Sequence, residues 1–245
     1  MLVLLPPSET KATGGDGPPL DLDSLGFSAL TPVRRRLADA LVRSSADPDV
    51  ARTVLGLSEG QADLVLANAA LHGAPTLPGI RRYTGVLYDA FSYATLPAAA
   101  RARADAQLVV ASALFGLVRA DDAIPAYRLS GGSVLPGVGP LPPVWRPVLG
   151  PVLAAEGPVL DLRSGAYAAL APLPDAITVR VLTEHPDGTR KVVSHSNKYY
   201  KGLLVRALVS SRAQLGDRAA VVRVARRAGF RVEPTGPNGF DLIVG

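Results

Sequence analysis

Residues 192–206 read VVSHSNKYYKGLLVR, which places a strand end, a polar turn and a helix start in immediate succession. Val192 and Val193 are β-branched and suit the end of a strand. Ser194, His195, Ser196 and Asn197 form the polar segment. Beyond it, Leu203, Leu204, Ala207 and Leu208 recur at helical spacing. Asn197, or Ser196 beside it, is placed to cap the helix by accepting from an unpaired backbone N–H. Lys198 and Lys201 then fall in the first turn, three residues apart and on one face. Ordinary helix electrostatics put carboxylates there, not lysines. Two lysines added to a helix N-terminus make an anion site. The plain alternative is a pair of solvated lysines on an exposed turn; Tyr199, Tyr200 and Gly202 beside them favour the anion site.

The flanks extend the reading in both directions. Ile177–Thr183 and Thr189–Val193 alternate around Pro186-Asp187-Gly188, a hairpin signal. Downstream, the helix runs from Lys198 to about Ser211. Asp217 caps a second helix over Arg218–Ala228, and Gly229 ends it. The connection between the two is longer than the usual helix-turn-helix link. Phe230–Val232 and Phe240–Val244 close the chain as a hairpin-like pair.

This third of the chain is also the basic one. Residues 180–231 carry twelve lysines and arginines against Glu184, Asp187 and Asp217, while the net charge of the whole chain is +5. Such a concentration attracts polyanions. A composition rich in Ala, Gly, Pro and Arg also accounts for part of the arginine content. Arg34 lies outside the basic third, and its loss is expected to do little to DNA binding or turnover.

At the N-terminus, Leu2–Leu5 reads as a short buried strand stopped by Pro6-Pro7. Ser8, Glu9, Thr10 and Lys11 follow at its carboxyl end, where open α/β sheets place ligand-binding groups. Residues 12–31 read as a mobile Gly/Pro/Asp-rich loop. Thr31-Pro32 starts a helix with Leu37, Ala40 and Leu41 inward. Asp47-Pro48 starts another, ending near Gly56, and Ser58 with Gln61 forms a capping box for a third. His72, at the end of that helix, suits the dipole and is assigned no chemistry. Arg81–Tyr88 reads as a strand interrupted by Gly85. Pro97–Gln107 is a helix, and the apolar run Leu108–Phe115 a central strand. Asp121 and Asp122, without a nearby His, read as a turn and not as a metal site. Gly131–Pro143 shows no periodicity, Trp145 begins a helix, and Val159–Leu162 is a short strand.

Composition excludes several chemistries. The 245 residues, 48% hydrophobic and 19% charged, suffice for a sizeable core in one domain spanning 1–245. With no cysteine there is no disulfide, thiol peroxidase, Cys-ligated zinc or iron–sulfur chemistry. His72, His185 and His195 are scattered, so neither a haem pocket nor a metal site is expected, and no cofactor is assigned. P-loop, nucleophile-elbow and zincin motifs are absent. The start MLVLLPPSETK has no basic n-region and only a brief apolar run. It reads as neither a signal peptide nor a span, so the expectation is a cytoplasmic protein without a membrane partner.

Several ordered blocks carry a resemblance. They are MLVLLPPSETK, Tyr83-Thr84-Gly85-Val86-Leu87-Tyr88, Ala113–Arg119, Ile124-Pro125-Ala126-Tyr127-Arg128-Leu129, Leu162–Tyr167, and Val193–Lys198 continuing to Lys201-Gly202. In this order the chain resembles the YaaA peroxide-stress family across nearly its whole length. The resemblance implies a mixed α/β fold with a positively charged cleft. It also implies double-stranded DNA binding, through a helix-hairpin-helix-like part, and a role in limiting oxidative damage when iron is available. The chain departs from the better-known form at SETK, where that form has an alanine and a lysine–threonine order. It departs again at YYKG, where that form has a second lysine and an arginine. The SETK start looks like a distinct branch with its own ligand.

Two functions follow from these residues. In the first, a stress protein binds DNA phosphates in a salt-dependent, sequence-independent way. Its anion-binding residues are Ser8, Lys11, Tyr83, Tyr127, Arg128, Lys198, Lys201 and Arg206. In the second, an enzyme or sensor takes a small phosphorylated or nucleotide-like ligand in the same cleft. Glu9 is then the general acid or base and Lys198 the charge stabiliser. Either way Ser8, Lys11, Tyr127, Arg128 and Lys198 are expected around a common concave surface.

Overall fold

Leu2–Leu5 (β1) buries all four side chains, as a strand covered on both faces must. The computed structural model describes residues 1–193 and 196–244. In chain order the other strands of the main sheet are Leu108–Ser112 (β2), Gly116–Arg119 (β3), Val159–Asp161 (β4), Ile177–Glu184 (β5), Arg190–Val192 (β6), Arg231–Thr235 (β7) and Gly239–Val244 (β8). Their order across the sheet is β7-β8-β5-β4-β1-β2-β3, with β6 paired to β5. The stretch from β8 to β2 is parallel, and β3, β6 and β7 add antiparallel pairs. The fold is therefore mixed α/β, with one apolar cluster running from Leu2 to Leu242.

The longer helices are Thr31–Ser45 (α1), Pro48–Leu55 (α2), Ala62–Ala69 (α3), Val86–Phe91 (α4), Ala98–Gln107 (α5), Leu141–Ala155 (α6), Asn197–Ser210 (α7) and Arg218–Arg227 (α8). Several sequence signals act as expected. Asp47 caps α2 through the Asp49 and Val50 amides, and Gly56 ends it at φ 62°. Gln61 accepts from the Ser58 amide at 3.1 Å. Asp217 accepts from Ala220 N at 2.7 Å to start α8. In α1, Leu37, Ala40 and Leu41 are buried. Both hairpins of the C-terminal third are present.

Other expectations are corrected. Arg81–Tyr88 is not a strand: Gly79–Arg82 forms a helical turn and α4 begins at Val86. Leu87, Tyr88 and Phe91 are its buried residues, which is a helical period, and Gly85 at φ 96° is the backbone reversal that starts it. Leu108–Phe115 is buried throughout, but the strand stops at Ser112. There the Ser112 hydroxyl accepts from the amides of Leu114 at 3.2 Å and Phe115 at 2.9 Å and turns the chain. Residues 12–31 are mostly loop, but the loop is tied down. Gly17–Pro19 pairs with Pro75–Pro78, which pairs with Ala123–Ile124, and the Asp122 carboxylate accepts from Gly26 N at 2.8 Å.

Residues 131–143 contain a small hairpin, Val134–Leu135 with Gly139–Pro140. The helix assigned to begin at Trp145 begins at Leu141, because Pro142 and Pro143 fit a first turn whose N–H groups are unpaired anyway. Leu141, Trp145, Leu149 and Leu153 form its buried stripe. Thr31 is the first residue of α1 and not its cap, with Leu30 in that position. Ser196 precedes α7 without a side-chain cap bond. The expected turn at Ser194 and His195 lies outside the described residues. Among the described residues, no helix is long and apolar enough to cross a membrane.

Arg34 is the largest departure from the sequence reading. It is fully buried and donates through Nε to Phe115 O at 2.9 Å and through one Nη to Gly26 O and Leu117 O at 2.8 Å each. It staples α1 to the β2–β3 turn and to the 12–31 segment. Arg34→Ala should therefore destabilise the protein by roughly 3 kcal/mol, since it strands several buried carbonyls. Urea denaturation checks this; a change under about 0.5 kcal/mol would be that of a surface arginine and would contradict the staple.

Candidate functional site

β1 is the point where the sheet grows in both directions, towards β2 on one side and β4 on the other. In parallel sheets the crevice at such a switch point lies beyond the strands' carboxyl ends. Pro6 and Pro7 lack N–H groups and end β1 there. The next residues are zipped onto the segment before α4. Lys11 bridges to Tyr83, Ala12 N donates to Arg82 O at 2.9 Å, and Thr84 N donates to the Ser8 hydroxyl at 3.2 Å. Tyr88 OH donates to Pro6 O at 2.8 Å. A cavity of about 200 Å³ opens here, lined by Pro6–Thr10, Thr84–Tyr88 and Lys198.

Lys198 reaches the cavity because α7 packs closely on α4. Gly202 makes that approach feasible: a Cβ there would stand 2.3 Å from Leu87 O. Lys198 is exposed in the first turn. Lys201 is not its equivalent. Its Nζ donates to Leu162 O at 3.1 Å, and burial holds its pKa below the ordinary lysine value, opposed by Asp161.

Beneath the Ser8–Lys11 segment lies a polar chain. Lys11 Nζ donates to Ser8 O at 3.1 Å and sits 4.3 Å from the Tyr127 ring centroid and 5.4 Å from that of Tyr83. The two phenols are 2.9 Å apart, and Tyr127 OH is 2.7 Å from Ser112 Oγ. Ser112 already accepts two backbone N–H groups, so it donates to Tyr127, which donates to Tyr83. Burial raises the pKa of both tyrosines, so this chain is neutral at physiological pH. Burial also pushes the Lys11 amine down to about 7, with Glu9 pulling it up and Arg128 and Arg82 lowering it further.

Glu9 lines the cavity and pairs with Arg128. Arg128 is fixed from behind by Asn68, which donates to its carbonyl at 2.8 Å and accepts from its amide at 2.7 Å. The geometry thus gathers Ser8, Glu9, Lys11, Tyr83, Tyr127, Arg128 and Lys198 around the β1 exit. Arg206 is elsewhere, donating to Phe91 O and Ser92 O at 3.0 Å each and capping α4. The sequence reading missed Asn68, Ser112, Thr84 and Tyr88. Asn68 had a signal: an Asn on the inward face of an apolar helix must find partners. A larger cavity of about 520 Å³, between Gly150–Val159 and Pro172–Ala176, is mostly apolar with Asp175 at its edge.

The basic third is less free than its composition suggests. Arg180 pairs with Asp241, and Arg190 and Arg231 both pair with Glu184 and Glu233. Arg218 and Arg226 donate to backbone carbonyls. Among the described residues, no group of three or more His, Asp or Glu side chains is placed to hold a metal ion.

A family model described as "Peroxide stress protein YaaA" matches residues 1–235. A UPF0246 protein of Corynebacterium efficiens is 49% identical over 238 residues, covering 95% of each chain. A UPF0246 protein of Corynebacterium glutamicum is 46% identical, covering 99% of this chain and 98% of its own. Another, from Streptomyces coelicolor, is 46% identical and covers 97% and 94%.

The Lys11 amine gives a stability signature. Folding lowers its pKa from 10.5 to about 7, so the unfolded chain binds more protons between those values and stability rises with pH across that window. Lys11→Met should lose this rise, worth at most roughly 3 kcal/mol between about pH 7 and pH 10. Urea denaturation of both proteins across the window checks it; parallel pH profiles would place the amine in contact with solvent.

Proposed function

The chain belongs to the peroxide stress protein YaaA family, and from that premise we propose that it acts in the stress response as a DNA-binding protein. It holds duplex phosphates at the basic rim of its cleft and helps limit iron-dependent oxidative damage. The observation that carries this reading is Lys198, an exposed cation in the first turn of α7 that lines the cavity at the β1 exit. A cation on a phosphate releases the counter-ion held there, so a protein-covered duplex holds less iron at the same phosphates. Protection is then indirect, in keeping with a chain that has no cysteine for thiol-based peroxide removal.

One observation favours a second reading. The cavity of about 200 Å³ between Pro6–Thr10 and Thr84–Tyr88 has room for a phosphate group but not for a duplex. A small phosphorylated or nucleotide-like ligand would seat its phosphate there, with Glu9 as general acid or base and Lys198 stabilising charge.

Salt titrations of duplex binding separate the lysines and the readings. Lys198→Ala should weaken binding to all sequences alike and reduce the salt slope by roughly one unit. Lys201→Ala should leave the slope unchanged, because its amine is committed to Leu162 O. Affinity that grows with duplex length supports DNA as the ligand. Tight binding of a mononucleotide, with no dependence on duplex length, would favour the small ligand. An unchanged slope for Lys198→Ala would remove this lysine from the phosphate contacts.

A further inference from the structure

The ion pair between Glu9 and Arg128 is unequal. The Arg128 side chain is 18% exposed and that of Glu9 is 56% exposed. Arg128 is held in place by both backbone bonds to the fully buried Asn68. Glu9 stands on the short segment after Pro7, with its side chain more than half exposed to solvent. Arg128 is also incompletely used. One Nη meets the Glu9 carboxylate and lies 3.4 Å from the Glu9 carbonyl, while Nε is buried with no partner among the described residues. A guanidinium presents a fork that suits two oxygens of one anion. An arginine with a pinned backbone and an unpaired Nε, facing an exposed carboxylate that lines the cavity, suits exchange of that carboxylate for another anion.

We propose that Glu9 is the resident counter-ion of an anion pocket formed by Arg128 and Lys11, and that the phosphate group of a ligand displaces it. This deepens the phosphate-binding reading above and rests on it. With Glu9 swung away, Arg128 and Lys11 are left as the two cationic groups where the carboxylate stood, beside the cavity that Glu9 and Lys198 line. The amine of Lys11 is faced by Glu9 on its own segment, by Arg128 and Tyr127, and by Arg82 and Tyr83. An anion arriving beside it raises its proton affinity, so binding near neutral pH takes up a proton.

Calorimetric titration tests the exchange with three probes: inorganic phosphate, thymidine 5′-monophosphate and a blunt duplex lacking terminal phosphates. Glu9→Gln keeps the side-chain shape and removes the competing charge. It should bind inorganic phosphate about tenfold more tightly than the wild type. Arg128→Gln should weaken binding about tenfold, and in that background Glu9→Gln should gain less than about twofold. An equal gain in both backgrounds would mean that Glu9 only repels anions at a distance, and it would overturn the proposal. So would unchanged or weaker binding by Glu9→Gln, a variant at an exposed position that tests the idea even if Arg128→Gln fails to fold. A gain with the two small probes alone assigns the pocket to terminal phosphates; a gain with the duplex as well assigns it to backbone phosphates, and either result supports the exchange. If the wild type binds and Glu9→Gln shows no gain, only this inference fails. If no probe binds either protein, the phosphate-binding reading fails with it.

Discussion

Parallel pairing on both edges of β1 is the constraint that places the candidate site. β1 takes hydrogen bonds from β2 and β4 in the same direction, so neither neighbour is reached by a tight turn and each requires a long crossover. The chain crosses from β1 to β2 and later returns from β3 to β4, so the carboxyl end of β1 lies between its two parallel neighbours, where ligand crevices open. Pro6 and Pro7 prevent the strand from continuing into that space. Ser8–Lys11 must then satisfy its backbone elsewhere, and it does so on Arg82–Thr84. That zipper brings Lys11 over the rings of Tyr83 and Tyr127 and leaves Glu9 on the outside.

Arginine serves this fold more as a staple than as surface charge. Arg34, Arg82 and Arg163 are all buried. Arg82 joins three segments by donating to Ile124 O at 3.0 Å, to Ala12 O and to Pro75 O at 3.2 Å. Arg163 pairs with Asp161 and also holds Tyr167 O and Ala171 O at 3.1 and 2.8 Å. One guanidinium offers five donors in a fixed plane, so a single side chain can satisfy carbonyls on loops that no regular structure connects. This lets a chain with 24 glycines and 22 prolines tie down irregular segments, and it is why the number of arginines overstates the positive face.

Local signals in the sequence carried most of the secondary structure. Asp47, Gln61 and Asp217 are caps whose chemistry acts within a few residues, and the Pro186–Gly188 and Gly236–Gly239 turns act over a similar range. What was not legible depends on contacts distant in sequence. Gly85 reads equally well as a strand interruption or a helix start until its φ of 96° is known. Lys198 and Lys201 look equivalent at three-residue spacing, and only the position of Leu162 O separates them. Arg34 looks like its neighbours in RRR, yet its partners lie near residues 26, 115 and 117. The segments after β1 and at the start of α7 stood out in the sequence because strand ends and helix starts mark them. Behind them, Asn68 carried only the signal of a polar residue in an apolar helix, and Ser112 carried none.

The proposed function requires that phosphate bind where β1 ends. Titrating the isotopically labelled protein with inorganic phosphate while following backbone amide resonances tests this most directly. The predicted result is a saturable set of shifts confined to Ser8–Lys11, Thr84–Leu87, Arg128 and the first turn of α7. Shifts centred instead on α8 and the β7–β8 hairpin, or no saturable shift at all, would contradict it.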